Sequence, residues 1–385
     1  MDQNKSLHAL VRTSTGVVSA TGAGALLVCF LLTGLNHFFP AATASQSDII
    51  LNSASENLEA RICLLSDLNG PYGTIDLPSG VHAGVARLSD MQCDLVLGAG
   101  DLVAGQDTSL SSDRLRAMWN EWQRVVADPF LNRGVPVLSA MGNHDASAER
   151  RSSGGFVFQR ERDAASQVWN SLLGHSAIAR IGWISREQFP FYYSFAFKTI
   201  GVVVFDGSSA GEVTHNRAWL EQQLSALASN PNIKTRIVVG HLPLFAVAKG
   251  RETVGNIIYN SADIYALLNR YRVDFYISGH HHAFYPARPS ADSKAYGTVQ
   301  LALGAMGDGP RKLLSSSAPS ARHSMTILDI VNNVAPALRF VFGRFNITTM
   351  SPFTGEVQPI RELPSSLNSF NGQGQPAELL RFDLD

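Results

Sequence analysis

The chain has 385 residues, with 31 Lys or Arg against 32 Asp or Glu, for a formal net charge of −1. At about 150 residues per domain this allows two domains, or one large domain with insertions. Near-neutrality excludes a protein that coats nucleic acid, because neutralising phosphates needs a clear Lys/Arg excess. A composition of 45% hydrophobic and 16% charged residues excludes a disordered chain, and three cysteines exclude a disulfide scaffold or a Cys-ligated zinc module.

The first expected element is an address. Lys5 and Arg12 precede an apolar stretch from about Gly22 to Leu35, shorter than the ~20 residues a bilayer span needs. Extending the stretch back through Val17, Val18 and Ala20 brings it near that limit. Phe38, Phe39 and Pro40 break the run, and Ala42-Thr43-Ala44 is a small-x-small cleavage pattern. Residues 1–44 therefore read as a cleaved export signal or as an uncleaved anchor attaching the protein to a membrane through residues 17–35. Either reading puts the remainder outside the cytoplasm, in a periplasmic or extracellular setting. Residues 45–60 read as a linker, 61–347 as the folded domain and 348–385 as a tail containing Pro, Ser and Gly. Cys63 and Cys93 can pair or be separate small buried residues; the apolar pattern around Cys63 favours the second.

Within the domain, strand and helix patterns alternate. Residues 61–66, 95–99, 136–140, 200–205, 235–239 and 273–278 are near-continuous apolar runs, as strands buried on both faces require. Between them lie stripes at helical spacing. The first is Val81, Val85 and Leu88. Leu115, Trp119, Trp122 and Val126 follow a cap at Ser112 or Asp113. Leu220, Leu224 and Leu227 follow Asn216, and Ile264, Leu267, Leu268 and Tyr271 follow Ser261. This alternation predicts layered α/β architecture. Residues 192–198, 298–303, 324–331 and 337–347 read as strands without intervening helices, and 146–190 as a polar insertion.

The side chains that carry chemistry stand at the ends of the predicted strands. Asp67 and Asn69 follow the first run and Gly100-Asp101 the second. Gly142-Asn143-His144-Asp145 follow the third, Gly240-His241 the fifth and Gly279-His280-His281-His282 the sixth. Ligands of open α/β sheets bind outside the carboxyl ends of the strands, so five such ends converge on one cleft. The carboxylates, carboxamides and imidazoles at these ends form a mixed N/O donor set without thiolate, suited to Mn, Fe or Zn rather than to calcium or a soft metal.

This order of blocks resembles the calcineurin-like metallophosphoesterase superfamily, over a stretch from about Arg61 to Tyr285. The resemblance implies a four-layer α/β/β/α sandwich with a dinuclear metal site at the carboxyl ends of the strands. It implies that Asp67, Asn69 and His282 face one metal and that Asp101 bridges both. Asn143, His241 and His280 hold the other. His144, aided by Asn143, is implied to position the phosphate and assist the leaving group. Asp145 can orient His144 or cap the turn that follows it. His281, the variable position between ligands, takes no role. Two ions ~3.5–4 Å apart can clamp a phosphate and share a hydroxide nucleophile.

The chain departs from the family at Asn69, where His is usual. A carboxamide oxygen is a harder donor, which favours manganese at this ion. Purple acid phosphatases, which share the fold, carry a Tyr ligand three residues after the bridging Asp; here Ala104 stands there. Asp206 and His215 read as structural, Arg311 as a surface residue within reach of a phosphate, and Tyr72 as a wall of the pocket. The expected function is metal-dependent hydrolysis of a small-molecule phosphate ester, with no nucleic-acid partner. The rivals are a degenerate binding protein of the same fold and a phosphodiesterase acting on cyclic nucleotides.

Overall fold

The computed structural model describes residues 58–290, 297–331 and 345–382. The expected export segment 1–44 lies outside these residues, as does most of the linker, whose last three residues open the first strand. Among the described residues no helix is long and apolar enough to cross a membrane.

Two sheets pack face to face between layers of helices. The smaller comprises β1 (Leu58–Leu65), β2 (Leu95–Ala99), β3 (Val137–Ala140), β11 (Met325–Val331) and β12 (Phe345–Met350), in the order β12-β11-β1-β2-β3. The larger comprises β4 (Gly182–Gln188), β5 (Tyr192–Phe197), β6 (Ile200–Val204), β7 (Thr235–Val239), β8 (Phe275–Ser278), β9 (Tyr285–Pro289), β10 (Val299–Ala302), β13 (Ser366–Phe370) and β14 (Pro376–Arg381). Its order is β13-β14-β9-β10-β8-β7-β6-β5-β4. Strands β1, β2 and β3 run parallel in one sheet, and β6, β7, β8 and β10 in the other. These parallel centres coincide with the continuous apolar runs. Every residue of β2 and of β6 is buried, because one face meets the facing sheet and the other a helix. Between the sheets Phe275 meets Phe345 edge-on at 4.8 Å, and the Tyr193 hydroxyl donates to the Ser139 carbonyl at 2.9 Å.

The helical stripes are buried as expected. Helix α1 (Ser79–Asp90) buries Val81, Val85 and Leu88. Helix α2 (Ser112–Trp122) is capped one residue earlier than expected, by the Ser111 hydroxyl accepting from the Arg114 N–H. The polar insertion contains a helix of its own, α3 (Gln159–Leu172), whose Trp169 packs at a tilt against Trp122 at 5.0 Å and joins it to the core. Helices α4 (Arg217–Ser229) and α5 (Ser261–Arg270) bury their Leu and Ile stripes, but neither Asn216 nor Asn260 caps through its side chain.

Two expectations need correction. Residues 348–385 are not a tail: β12 runs to Met350, and the β13–β14 hairpin extends the large sheet by pairing with β9. Cys63 and Cys93 form a disulfide, with their Cα atoms 5.8 Å apart. Cys63 lies on β1, and Cys93 sits in the turn that leads from α1 into the adjacent β2, so the parallel pairing of these strands brings the two together.

Candidate metal centre

The strand ends deliver their side chains through a shared backbone device. Asp67, Asp101, His280 and His282 all adopt left-handed backbone, with φ of 53°, 56°, 63° and 52°. Such conformations cost non-glycine residues about 1–3 kcal/mol each and persist only where surrounding structure enforces them. Hydrogen bonds between the turns do so here. The Asp67 N–H donates to the Gly100 carbonyl at 3.0 Å and the Leu68 N–H to the Asp101 carbonyl at 2.7 Å. The His280 N–H donates to Asp67 Oδ1 at 2.9 Å. Each tight reversal turns a side chain off the strand axis into the cleft. Two glycines make the close approach possible. A Cβ at Gly142 would overlap the Asp101 carboxylate, and one at Gly279 would overlap the Ser66 hydroxyl.

Two clusters of ligand atoms result, and they share one residue. Asp101, His241 and His280 form the first; Asp67, Asp101 and His282 form the second. The ligand atoms of each lie within 4.8 Å of one another. All five residues are buried. His241 Nε2 is 3.3 Å from Asp101 Oδ2, and His282 Nε2 is 3.4 Å from Asp67 Oδ1. Asn143 belongs with the first cluster: its Oδ1 lies 3.0 Å from His241 Nε2 and 2.8 Å from His280 Nδ1. Asn69 shares the turn of Asp67, and its Oδ1 is buried without a hydrogen-bond partner.

This arrangement fits a pair of cations. Each imidazole has its second nitrogen committed to an oxygen acceptor, which turns the first one toward the cluster. His241 Nδ1 meets the Ala99 carbonyl at 2.7 Å, His282 Nδ1 the Gly309 carbonyl at 2.9 Å and His280 Nε2 the Asn256 Oδ1 at 3.0 Å. A buried carboxylate also demands positive charge. Burial works against a charged His241, yet the Asp101 carboxylate beside it prevails and pushes its pKa up to about 9. Burial opposes ionisation of Asp101 as well, but the neighbouring imidazoles His241, His144 and His280 hold it well below the ordinary carboxylate range. The orphaned Asn69 oxygen completes the case, since a buried carbonyl oxygen without a partner is costly unless something ligates it.

His144 lies beside the clusters. Its backbone N–H donates to Asp101 Oδ1 at 2.9 Å, its Nδ1 is 3.2 Å from the Gly105 carbonyl, and Tyr72 packs on its ring at 4.9 Å. Tyr72 is 63% exposed and forms a rim. Asp145 makes no hydrogen bond to His144. Its carboxylate accepts from Leu102 N–H at 2.6 Å, Val103 N–H at 2.9 Å and Gly142 N–H at 2.8 Å, tying the Asp101 turn to the Asn143 turn. Burial, then the Asp101 charge, push its pKa up to about 7. Asp206 pairs with Arg162 at 2.8 Å inside the protein, and His215 is exposed at the end of a half-buried helical turn. His281 is buried, receiving the Val247 N–H at Nδ1 and meeting the Asn256 carbonyl through Nε2. Ala104 is buried in the Asp101 turn.

Sequence reasoning missed the residues that orient the ligands. Gln106 Oε1 accepts from Asn143 Nδ2 at 2.8 Å, and Glu161 accepts the N–H groups of Gln106 and Asp107 at 3.0 Å each. Asn256 holds His280. None of these stands beside a strand end, the one signal that marked the ligands.

The fold is similar to that of purple acid phosphatase PPD1 from seeds of yellow lupin (Lupinus luteus). The TM-score is 0.53 at 14% identity, over 78% of this chain and 52% of that one. The chain thus spans about half the length of that protein. Weaker likenesses are to GAP50, the anchor in the inner membrane complex of Plasmodium, and to a dimetal phosphatase from Danio rerio. For GAP50 the TM-score is 0.46 at 16% identity, covering 78% of this chain and 87% of that one. For the Danio rerio protein it is 0.42 at 14% identity, covering 72% and 98%. Among curated proteins, none matches the chain in sequence. Residues 60–284, more than half of the chain, match the family described as calcineurin-like phosphoesterase, and the protein belongs to that family.

Proposed function

We propose that the protein hydrolyses small-molecule phosphate esters with the help of two divalent ions. The observation that carries this reading is the pair of buried ligand clusters sharing Asp101. Asp67, Asn69, Asp101 and His282 would hold one ion, and Asp101, Asn143, His241 and His280 the other. When bound, such a pair supplies Lewis acidity and an activated water. The chain's own residues do the rest. Asn143 is held in place through its amide by Gln106. His144 stands against Asp101 with its Nδ1 near the Gly105 carbonyl and its ring beside Tyr72, which keeps the imidazole upright as a proton donor to the leaving oxygen. The hard oxygen of Asn69 favours manganese at its ion. The partnerless state of that oxygen speaks against the degenerate binding protein, since it supports a complete donor set.

Export is part of the same proposal. The Cys63–Cys93 disulfide supports it, because such bonds persist in oxidising compartments. The deciding experiment is a panel of phosphomonoesters and phosphodiesters with Mn, Fe, Zn or Mg added in turn to chelated protein. Metal-restored turnover of monoesters is expected, with manganese the most effective. Full activity after exhaustive chelation would overturn the reading.

A further inference from the structure

Two arginines stand beside the dinuclear centre without a carboxylate partner. Arg251 donates from Nη1 to Asn256 Oδ1 at 2.8 Å, and that same oxygen meets His280 Nε2. Arg251 is therefore one side chain away from a ligand of the first ion. Arg311 follows the loop that wraps the second ion's ligands. In that loop the Gly307 N–H donates to the Asp67 carbonyl at 2.7 Å and the Asp308 N–H to the Asn69 carbonyl at 3.1 Å. The Gly309 carbonyl meets His282 Nδ1, and the Arg311 N–H donates to the His282 carbonyl at 3.0 Å.

The segments that carry the two arginines run side by side. Ala248 and Leu313 form an antiparallel bridge, and the Lys249 N–H donates to the Lys312 carbonyl at 2.9 Å. That register sets residue 250 opposite residue 311, one position from Arg251. The Nε of each guanidinium is buried and has no hydrogen-bond partner. Among the described residues neither arginine forms an ion pair. Burial and then the Arg311 charge pull Arg251 below the ordinary arginine value, while Asp101 and Asp67 pull it back up. Two like charges thus share one edge of the cleft within reach of its acids.

Charge counting shows what is missing. Two divalent ions against Asp67 and Asp101 leave an excess of two positive charges, which a phosphoryl dianion satisfies. The acids are then committed, and the two guanidiniums remain without a counter-charge. Buried donors of this kind require an acceptor, and the planar fork of arginine suits phosphate and carboxylate oxygens.

We infer that Arg251 and Arg311 form a subsite for a second oxyanion of the substrate, so that the preferred substrates are phosphate esters carrying another phosphoryl or carboxylate group beyond the one hydrolysed. This rests on the phosphoesterase reading above and adds the substrate class.

Binding, rather than turnover, tests it. Manganese-loaded protein is titrated calorimetrically with methylenediphosphonate, with phosphonoacetate and with methylphosphonate. The first two carry a second phosphoryl or a carboxylate and the third carries neither, so the arms separate the two sources of the oxyanion. Wild-type protein should prefer at least one of the first two over methylphosphonate. A charge-assisted hydrogen bond is worth about tenfold or more in affinity. The double variant Arg251→Gln/Arg311→Gln should therefore lower that preference by at least about tenfold while its metal content stays at the wild-type level. Arg251→Gln also breaks the bond to Asn256, so Arg311→Gln alone carries the test if the double variant does not fold. Arg133→Gln removes a distant exposed charge and should leave the preference unchanged. A wild-type preference of one, or an Arg311→Gln preference within twofold of wild type, overturns the subsite while leaving the hydrolase reading intact. Failure of loaded wild-type protein to bind any of the three probes or to hydrolyse an aryl phosphate overturns both.

Discussion

Truncating Asn69 to Ala should change stability in opposite directions with and without metal. Asn69 is 7% exposed, its Oδ1 has no partner, and its Nδ2 makes only a long contact of 3.4 Å with the Gly70 carbonyl. In chelated protein the orphaned oxygen carries a desolvation penalty of about 1–3 kcal/mol. Asn69→Ala removes that penalty. It forfeits the weak amide contact and some packing, together about 1 kcal/mol. The chelated variant should therefore be as stable as the wild type or up to ~2 kcal/mol more stable. In excess manganese the sign reverses. An ion present at about a hundred times its dissociation constant stabilises the fold by about 2.7 kcal/mol, and each tenfold loss of affinity removes about 1.4 kcal/mol of this. Loss of one of four ligands should cost at least one such step. The assay is denaturant unfolding of both proteins in chelator and in manganese, with m-values compared so that changes in the unfolded state are recognised. If Asn69→Ala destabilises the protein by the same ~1 kcal/mol or more in both conditions, the side chain is ordinary packing and does not touch the metal.

Further outcomes follow from other parts of the structure. Asp101→Asn should lose both ions by elemental analysis, because Asp101 belongs to both clusters, whereas His282→Ala should lose one. His144→Ala should keep both ions and lose about 10²–10⁴-fold in turnover, with a smaller loss on nitrophenyl than on alkyl esters. Cys63→Ser should lower stability by about 3–4 kcal/mol, the loop-closure value for a 30-residue separation, measured by unfolding under otherwise identical conditions. Glu161 gives a pH signature. Burial outweighs its two backbone hydrogen bonds and raises its pKa to about 7. The folded state therefore holds a proton that the unfolded state releases near pH 4–5, so stability should fall as pH rises from about 4.5 to 7 and level off above. Glu161→Gln should flatten that slope, and an unchanged slope would show that the carboxyl titrates normally.

The candidate ligand set was legible in the sequence for a local reason. A strand buried on both faces is a continuous apolar run, and the residue that ends it is chemically conspicuous by contrast. Asp67, Asp101, Asn143, His241, His280 and His282 each stand within a few residues of such a run. The helical stripes of α1, α2, α4 and α5 were legible for the same reason, since burial repeats at a short, fixed interval. Less regular segments escaped. Strand β13 alternates burial, but one of its two inward residues is Ser369, whose hydroxyl donates to the Ala246 carbonyl at 2.6 Å. A polar residue in an inward position erases the pattern. Strand β9 begins at Tyr285 and ends at Pro289, and two prolines within five residues conceal it. The disulfide depended on the distance between two strands, which no spacing along the chain reveals.

Tertiary structure alone decided how the ligands are aimed. The left-handed backbone at Asp67, Asp101, His280 and His282 is imposed by hydrogen bonds between turns that are far apart in the chain, such as His280 to Asp67 across 213 residues. Asn256, Gln106, Glu161 and the carbonyls of Ala99 and Gly309 act on the ligands from loops with no periodicity. Arg251 and Arg311 become neighbours only because two irregular segments pair at Ala248 and Leu313. The identity of a ligand is a property of one residue and its immediate neighbours, so the sequence determines it. Its direction, its tautomer and the charges that surround it arise where distant segments meet, and only the folded chain contains those meetings.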